Sequence, residues 1–310
     1  MPAISVTHLK KKYGSTIAID DVSFSVNEGE IFGLLGPNGA GKTTTVECIV
    51  GLRHQDSGTI EVLGEDPQTH KEDLHPIVGV QLQSSSFPDK LKVREILDLY
   101  QSFYTTPANP VELATSLGLD TKLDTYYKDL SGGQKQRLSL ALALIGQPKV
   151  AILDEMTTGL DPQARLDTWK VIEKIKSKGT TIILVTHFME EAQRLCDRVA
   201  LIDQGKTVAM DTPQGLAESV TGGKHIQFTP SKEFPDTILT RLPEVKDVEH
   251  QGNRIVVSGS GNLVNAIVLA LEAQGIEAND LVMQSATLEE AFITLTGHHL
   301  HSEDEGKHNE

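Results

Sequence analysis

Cysteine is nearly absent. The chain has two among 310 residues, Cys48 and Cys196, and both fall in stretches with helical periodicity. Two cysteines cannot form the disulfide framework that staples small secreted domains, so a reducing compartment and packed thiols are expected. Long apolar runs are missing too. No stretch approaches the roughly 18 residues that cross a bilayer, and the opening "MPAISVTHLKKKYG" lacks the apolar centre of a secretory signal. Work at a membrane would therefore require docking on another chain. Positive charge is scarce: 28 Lys and Arg stand against 43 Asp and Glu, a formal charge of −15. Such a surface repels nucleic acid and anionic lipid, and no basic tract offsets it, so nucleic acid is not expected as a partner. Heptad runs and cysteine clusters are also lacking, which argues against coiled-coil arms and zinc modules.

What is present suits a globular chain of about two domains, with 38% apolar and 23% charged residues. "ISVTHL" and "VSFSV" alternate apolar and polar residues, as half-exposed strands of an antiparallel sheet do. "EIFGLLG", "VAILD" and "TIILVT" are solid apolar runs, the pattern of strands buried inside a parallel sheet. Helical patterns at 162–177 and 188–196 alternate with them, which predicts helices on both faces of that sheet. Residues 87–145 read as helix without a strong strand, an inserted helical subdomain. Composition changes near "VTGGK". Beyond it the predicted order is strand, helix, strand, strand, helix, strand, which suits a small ferredoxin-like unit over 221–297. A closing amphipathic helix, "ATLEEAFITLTG", ends this unit, and a polar tail over 298–310 is expected to be disordered.

The chemistry concentrates in a few short stretches. "GPNGAGKTT" follows a buried strand and opens a helix, and it fits G-x-x-x-x-G-K-[ST]. Gly36, Pro37, Asn38, Gly39, Ala40, Gly41, Lys42, Thr43 and Thr44 then form a phosphate loop whose backbone N–H groups curl around an anion. Lys42 would reach the β- and γ-phosphates of a nucleotide, and the Thr43 hydroxyl would ligate Mg²⁺. "VAILDE" supplies the carboxylates: Asp154 for the metal and Glu155 to polarise the attacking water. His187 ends the next buried strand, at the sheet edge where α/β proteins bind ligands, and is expected to contact the γ-phosphate. A second glycine turn, "LSGGQ", also opens a helix. Ser131, Gly132, Gly133 and Gln134 could form another anion nest, although Ser131 is equally a plain N-cap.

These motifs, in this order, resemble those of the ATP-binding cassette (ABC) ATPases over the first two hundred or so residues. The set comprises the aromatic of "KKYG", "GPNGAGKTT", a glutamine near 83, "LSGGQ", "VAILDE", "GLDP" and "TH". The resemblance implies a P-loop NTPase cassette over 1–220. Its core would be a RecA-like parallel sheet with an N-terminal antiparallel β-subdomain and the inserted helical subdomain. It also implies roles for further residues. Tyr13 would stack on adenine. Gln83, chosen over Gln81 because it lies at G-x-x-x-Q from Gly79, would touch Mg²⁺ or the attacking water. Asp161 would bridge two active sites. Two cassettes would face head to tail, so that "LSGGQ" of one covers the ATP bound by the other. With every motif intact in one chain, a homodimer is expected. Family members usually have proline after the glutamate; Met156 stands there in this chain and leaves the backbone freer. "TTGLDPQAR", "THFMEEAQRLCDRVALIDQGK" and the ending "ATLEEAFITLTG" resemble type-2 ABC exporters of the daunorubicin-resistance-like group. That implies an ATPase subunit on the cytoplasmic face of the membrane, bound to separate transmembrane permease subunits; the alternative is a soluble ABC-type mechanochemical or regulatory ATPase without a membrane partner.

Overall fold

The structure, a computed structural model, describes residues 2–82, 87–221, 224–284 and 287–297. It divides into two compact units, Met1–Thr212 and Pro213–Glu310. The division falls eight residues before the expected boundary at 220.

The first unit begins with two long antiparallel strands, β1 (Pro2–Tyr13) and β2 (Thr16–Asn27). Their alternation puts Ile4, Val6, Val22, Phe24 and Val26 on one buried face. β3 (Ile31–Leu35) is buried throughout and leads into α1 (Lys42–Ile49). β4 (Ser57–Val62), α2 (Lys71–Leu74) and β5 (Val78–Gln81) follow. The helical segment comes next, with α3 (Val93–Gln101), α4 (Pro110–Ser116) and α5 (Gly132–Leu144). The unit closes with β6 (Val150–Asp154), α6 (Pro162–Lys176), β7 (Thr181–Thr186), α7 (Met189–Leu195), β8 (Arg198–Asp203) and β9 (Lys206–Asp211).

These strands form one nine-stranded sheet in the order β4-β1-β2-β9-β8-β3-β7-β6-β5. The section β8-β3-β7-β6-β5 is parallel. β1, β2 and β4 make the antiparallel end. In β3, β6 and β7 every residue is buried, which explains their unbroken apolar runs. Register brings their carboxyl ends level: Leu35 pairs with Thr186, and Asp154 with Val185. The segments leaving those three strands therefore emerge at one edge.

In the second unit α8 (Pro213–Thr221) packs with α11 (Leu288–Thr296), which accounts for the earlier boundary. Between them run β10 (Lys224–Pro230), α9 (Thr237–Thr240), β11 (Val245–Gln251), β12 (Arg254–Gly259), α10 (Leu263–Glu272) and β13 (Ala278–Gln284). The four strands are antiparallel in the order β13-β10-β12-β11, the split βαβ arrangement of a ferredoxin-like sheet. Ile226, Phe228, Val257, Ile267 and Leu271 fill its core. Thr287 and Glu290 cap α11 reciprocally, and Gly297 ends it at φ +72°. The expected tail, 298–310, lies outside the described residues.

Candidate active site

The loop between β3 and α1 can close only with glycine at its ends. A Cβ at Gly36 would stand 2.1 Å from the Ile202 carbonyl, and one at Gly41 would stand 2.5 Å from that of Ala18. Gly41 also takes φ +101° at the N-cap of α1. It brings no side chain, so the first-turn N–H groups of the helix open onto the loop. Ala40 is buried and accepts a bond from Gly205 N–H at 3.1 Å, while Ala40 N–H donates to Pro37 O at 3.2 Å. Asn38, Gly39 and Thr43 face solvent, with Thr44 partly covered.

Lys42 is folded into this hollow. Its Nζ donates to the carbonyls of Gly36 at 2.7 Å and Pro37 at 3.0 Å. Burial lowers its pKa, opposed by the negative charges of Glu155 and Asp154. Asp154, at the end of β6, is buried and lies 3.5 Å from the Thr43 hydroxyl. Burial, then the neighbouring Glu155, pushes its carboxyl up to about 6, against the pull of Lys42 and Thr43. An acid so short of positive charge fits a divalent cation, and Thr43 and Asp154 provide the hard oxygen donors that Mg²⁺ takes.

Glu155 has the left-handed φ of +52°, uncommon for a residue with a Cβ. Its N–H donates to Val185 O at 2.9 Å. One carboxylate oxygen lies 3.2 Å from His187 Nδ1. Since a carboxylate accepts, the bond requires the Nδ1–H tautomer, and the neutral ring then presents Nε2 as an acceptor. Only the imidazolium donates through both nitrogens. The structure thus gathers Lys42, Thr43, Asp154, Glu155 and His187 at one sheet edge.

Other expected residues lie in separate places. Tyr13 ends β1, half exposed, with Lys11 Nζ and the Arg53 guanidinium each 5.6 Å from its ring centroid. It pairs with Thr16 on the hairpin that passes Gly41 at Ala18. Ser131 caps α5: its Oγ accepts from Gln134 N–H at 3.3 Å, and Gln134 Oε1 accepts from Ser131 N–H at 3.0 Å. Among the described residues nothing lies within 4 Å of a Cβ at Gly132, whereas one at Gly133 would meet Leu160 at 2.9 Å. Asp161 caps α6 through Ala164 N–H at 2.9 Å. Gln83 lies outside the described residues. Gln81 ends β5, buried, with neither amide atom partnered among the described residues.

Two residues not singled out in the sequence also touch this machinery. Gln136 Nε2 donates to the Glu155 carbonyl at 2.9 Å. Glu191 is fully buried on α7, where one oxygen accepts from Thr157 Oγ1 at 2.9 Å and from Trp169 Nε1 at 3.0 Å. Helical spacing places both on their helices but indicates no partner for either. Gln136 lies one turn beyond Gly133 and one before Leu140, and Glu191 shares a stripe with Leu195.

A glycine loop, a helix N-terminus, a buried lysine and a paired acid at the carboxyl edge of a parallel sheet define a P-loop nucleotide hydrolase. Comparison narrows the class. Residues 19–158 match the family model of the ABC transporter. The chain is 36% identical over 301 residues to the Nod factor export ATP-binding protein I of Burkholderia orbicola, covering 95% of this chain and 97% of that protein. It is 38% identical over 307 residues to the protein of that name from Paraburkholderia xenovorans, with the same coverages. Among solved structures, an ATP-binding subunit of an ABC transporter is similar at TM-score 0.65 and 28% identity, covering 70% of this chain and 92% of that one. A dimeric bacterial ABC transporter cassette shares the fold at TM-score 0.63 and 23% identity, covering 67% and 98%. The chain belongs to the ATP-binding subunits of ABC transporters, and it is an ATPase. Among the described residues, no helix is long and apolar enough to cross a membrane.

Proposed function

We propose that this chain hydrolyses ATP at the edge formed by β3, β6 and β7 and thereby drives export through a separate membrane permease. The observation that carries the site is the convergence of Lys42, Asp154, Glu155 and His187 there. Export is supported by the Nod factor export relatives, whose likeness runs through the second unit as well as the first.

The loop N–H groups and Lys42 bind the β- and γ-phosphates, and Tyr13 stacks on the adenine. Thr43 and Asp154, with Gln83, would hold Mg²⁺, which supplies positive charge against the charge developing on the phosphoryl oxygens. Glu155 aligns a water and takes its proton as the water oxygen bonds to the γ-phosphorus and the bond to the β-phosphate oxygen breaks. His187, held by Glu155, donates to the γ-phosphate as imidazolium. A second copy completes the site: its Ser131, Gly132, Gly133 and Gln134 cover the γ-phosphate, and Asp161 links the two centres. Closure of the pair moves the permease, and hydrolysis reopens it.

The test is affinity purification of the chain from its own cells after mild detergent solubilisation, with identification of co-purifying proteins. A multi-span membrane protein that stimulates ATP hydrolysis is expected. Recovery of soluble partners alone, with the chain absent from membranes, would contradict the coupling to a permease.

A further inference from the structure

Glu155 combines two properties that pull apart. Its carboxylate must be aimed to within a fraction of an ångström, yet its backbone adopts φ +52°, which residues with a Cβ adopt at a cost in strain. Such a conformation persists where surrounding bonds over-determine it. Three are present. The Glu155 N–H donates to Val185 O on β7 at 2.9 Å, and the Glu155 carbonyl accepts from Thr158 N–H at 3.3 Å and from Gln136 Nε2 at 2.9 Å. The first two come from the adjacent strand and from the same turn. The third comes from a side chain on α5, the helix that "LSGGQ" opens.

We infer that Gln136 is a positioning residue for the catalytic glutamate: its side-chain amide fixes the Glu155 peptide, and so the direction of the Glu155 carboxylate. This rests on reading Glu155 as the general base. The side chain is half-buried between α5 and the turn after β6. Its amide donates to a backbone carbonyl, so the role inferred for it is in orientation and not in binding. It also ties the glycine turn at 131–134 to the base of the same chain through five residues of helix. Without the amide bond, the turn keeps its hydrogen bond from Thr158 and relaxes away from the left-handed region, carrying the carboxylate with it.

Gln136→Met keeps length and volume and removes the donor. Gln136→Glu also removes the donor, since a carboxylate only accepts, and serves if the first variant folds poorly. In the purified full chain, kcat is expected to fall about ten- to a hundredfold, the effect of misplacing a reacting group by about an ångström. Affinity for a fluorescent ATP analogue and the unfolding midpoint should stay at wild-type values. The decisive readout is the same substitution in a Glu155→Gln background, with residual hydrolysis followed over hours. No further loss is expected there, because the group being aimed is gone. An unchanged kcat, or the same fold-loss in both backgrounds, overturns the inference. So does a loss that tracks weakened nucleotide binding or a lowered midpoint. A Glu155→Gln chain that turns over normally on its own would instead overturn the reading of Glu155 as base, before Gln136 is changed.

Discussion

Replacing Glu191 with alanine tests how the turn after β6 is anchored. Glu191 is fully buried, and its Oε1 is the acceptor for both the Thr157 hydroxyl and the Trp169 indole N–H. Thr157 lies two residues past Glu155, so this carboxylate ties α6 and α7 to the segment carrying the base. Alanine leaves two buried donors without a partner, at about 1–3 kcal/mol each, and opens a small cavity. Against that, the other carboxylate oxygen is buried with no partner among the described residues, and removing it returns part of the desolvation cost. The donors outnumber the orphaned acceptor, so a net loss of about 2–4 kcal/mol is expected. Glu191→Gln keeps the shared acceptor and should lose about 1 kcal/mol or less. Trp169 is the only tryptophan in the chain and lies in the first unit. Its fluorescence during urea unfolding therefore reports that unit alone. A Glu191→Ala midpoint indistinguishable from wild type, or a glutamine variant less stable than the alanine one, would refute the reasoning.

Asp154 gives a pH-dependent outcome. Its carboxyl stands at about 6 in the folded chain against an ordinary 3.8, so between those values the folded state holds the extra proton. Stability therefore falls as pH rises from about 4 to about 6, by about 3 kcal/mol in all. Asp154→Asn removes this penalty. Without nucleotide, it should be more stable than wild type at pH 8 by up to that amount, in which the attraction to Lys42 is already counted. The advantage should vanish by pH 4 in urea titrations, while ATP hydrolysis is lost. Gly132→Ala should leave the Trp169 unfolding midpoint within about 0.5 kcal/mol of wild type, because nothing lies within 4 Å of the added methyl. A drop in turnover in that variant would then come from a contact made by another copy.

The fold was legible where burial was complete. β3, β6 and β7 carry unbroken apolar runs because every residue in them is buried, and the strand and helix order of the second unit follows the alternation of short patterns. β4 was less visible: it pairs with β1 at the sheet edge and exposes Ser57, Thr59 and Glu61. β9 lies inside the sheet, between β2 and β8, but none of its residues is fully buried, so its sequence lacks the pattern of a buried strand. β8 is buried, but its apolar run merges with the preceding helix in sequence. The glycine loop and the acids at the end of β6 could be placed because their chemistry is local and tied to strand ends. Gln136 and Glu191 could not. A glutamine on a helix announces neither that its partner is a carbonyl 19 residues later nor that the carbonyl belongs to a strained residue. Likewise, the buried role of Glu191 depends on Trp169 and Thr157 arriving from other elements.

The most direct test of the central claim is the steady-state ATP turnover of the Glu155→Gln chain at saturating ATP and Mg²⁺. The amide keeps the size of the side chain and its place beside His187 but cannot take a proton from water. Turnover is expected to fall about a hundredfold or more, with ATP still bound. Hydrolysis within a few-fold of wild type would contradict the assignment of Glu155 as the base.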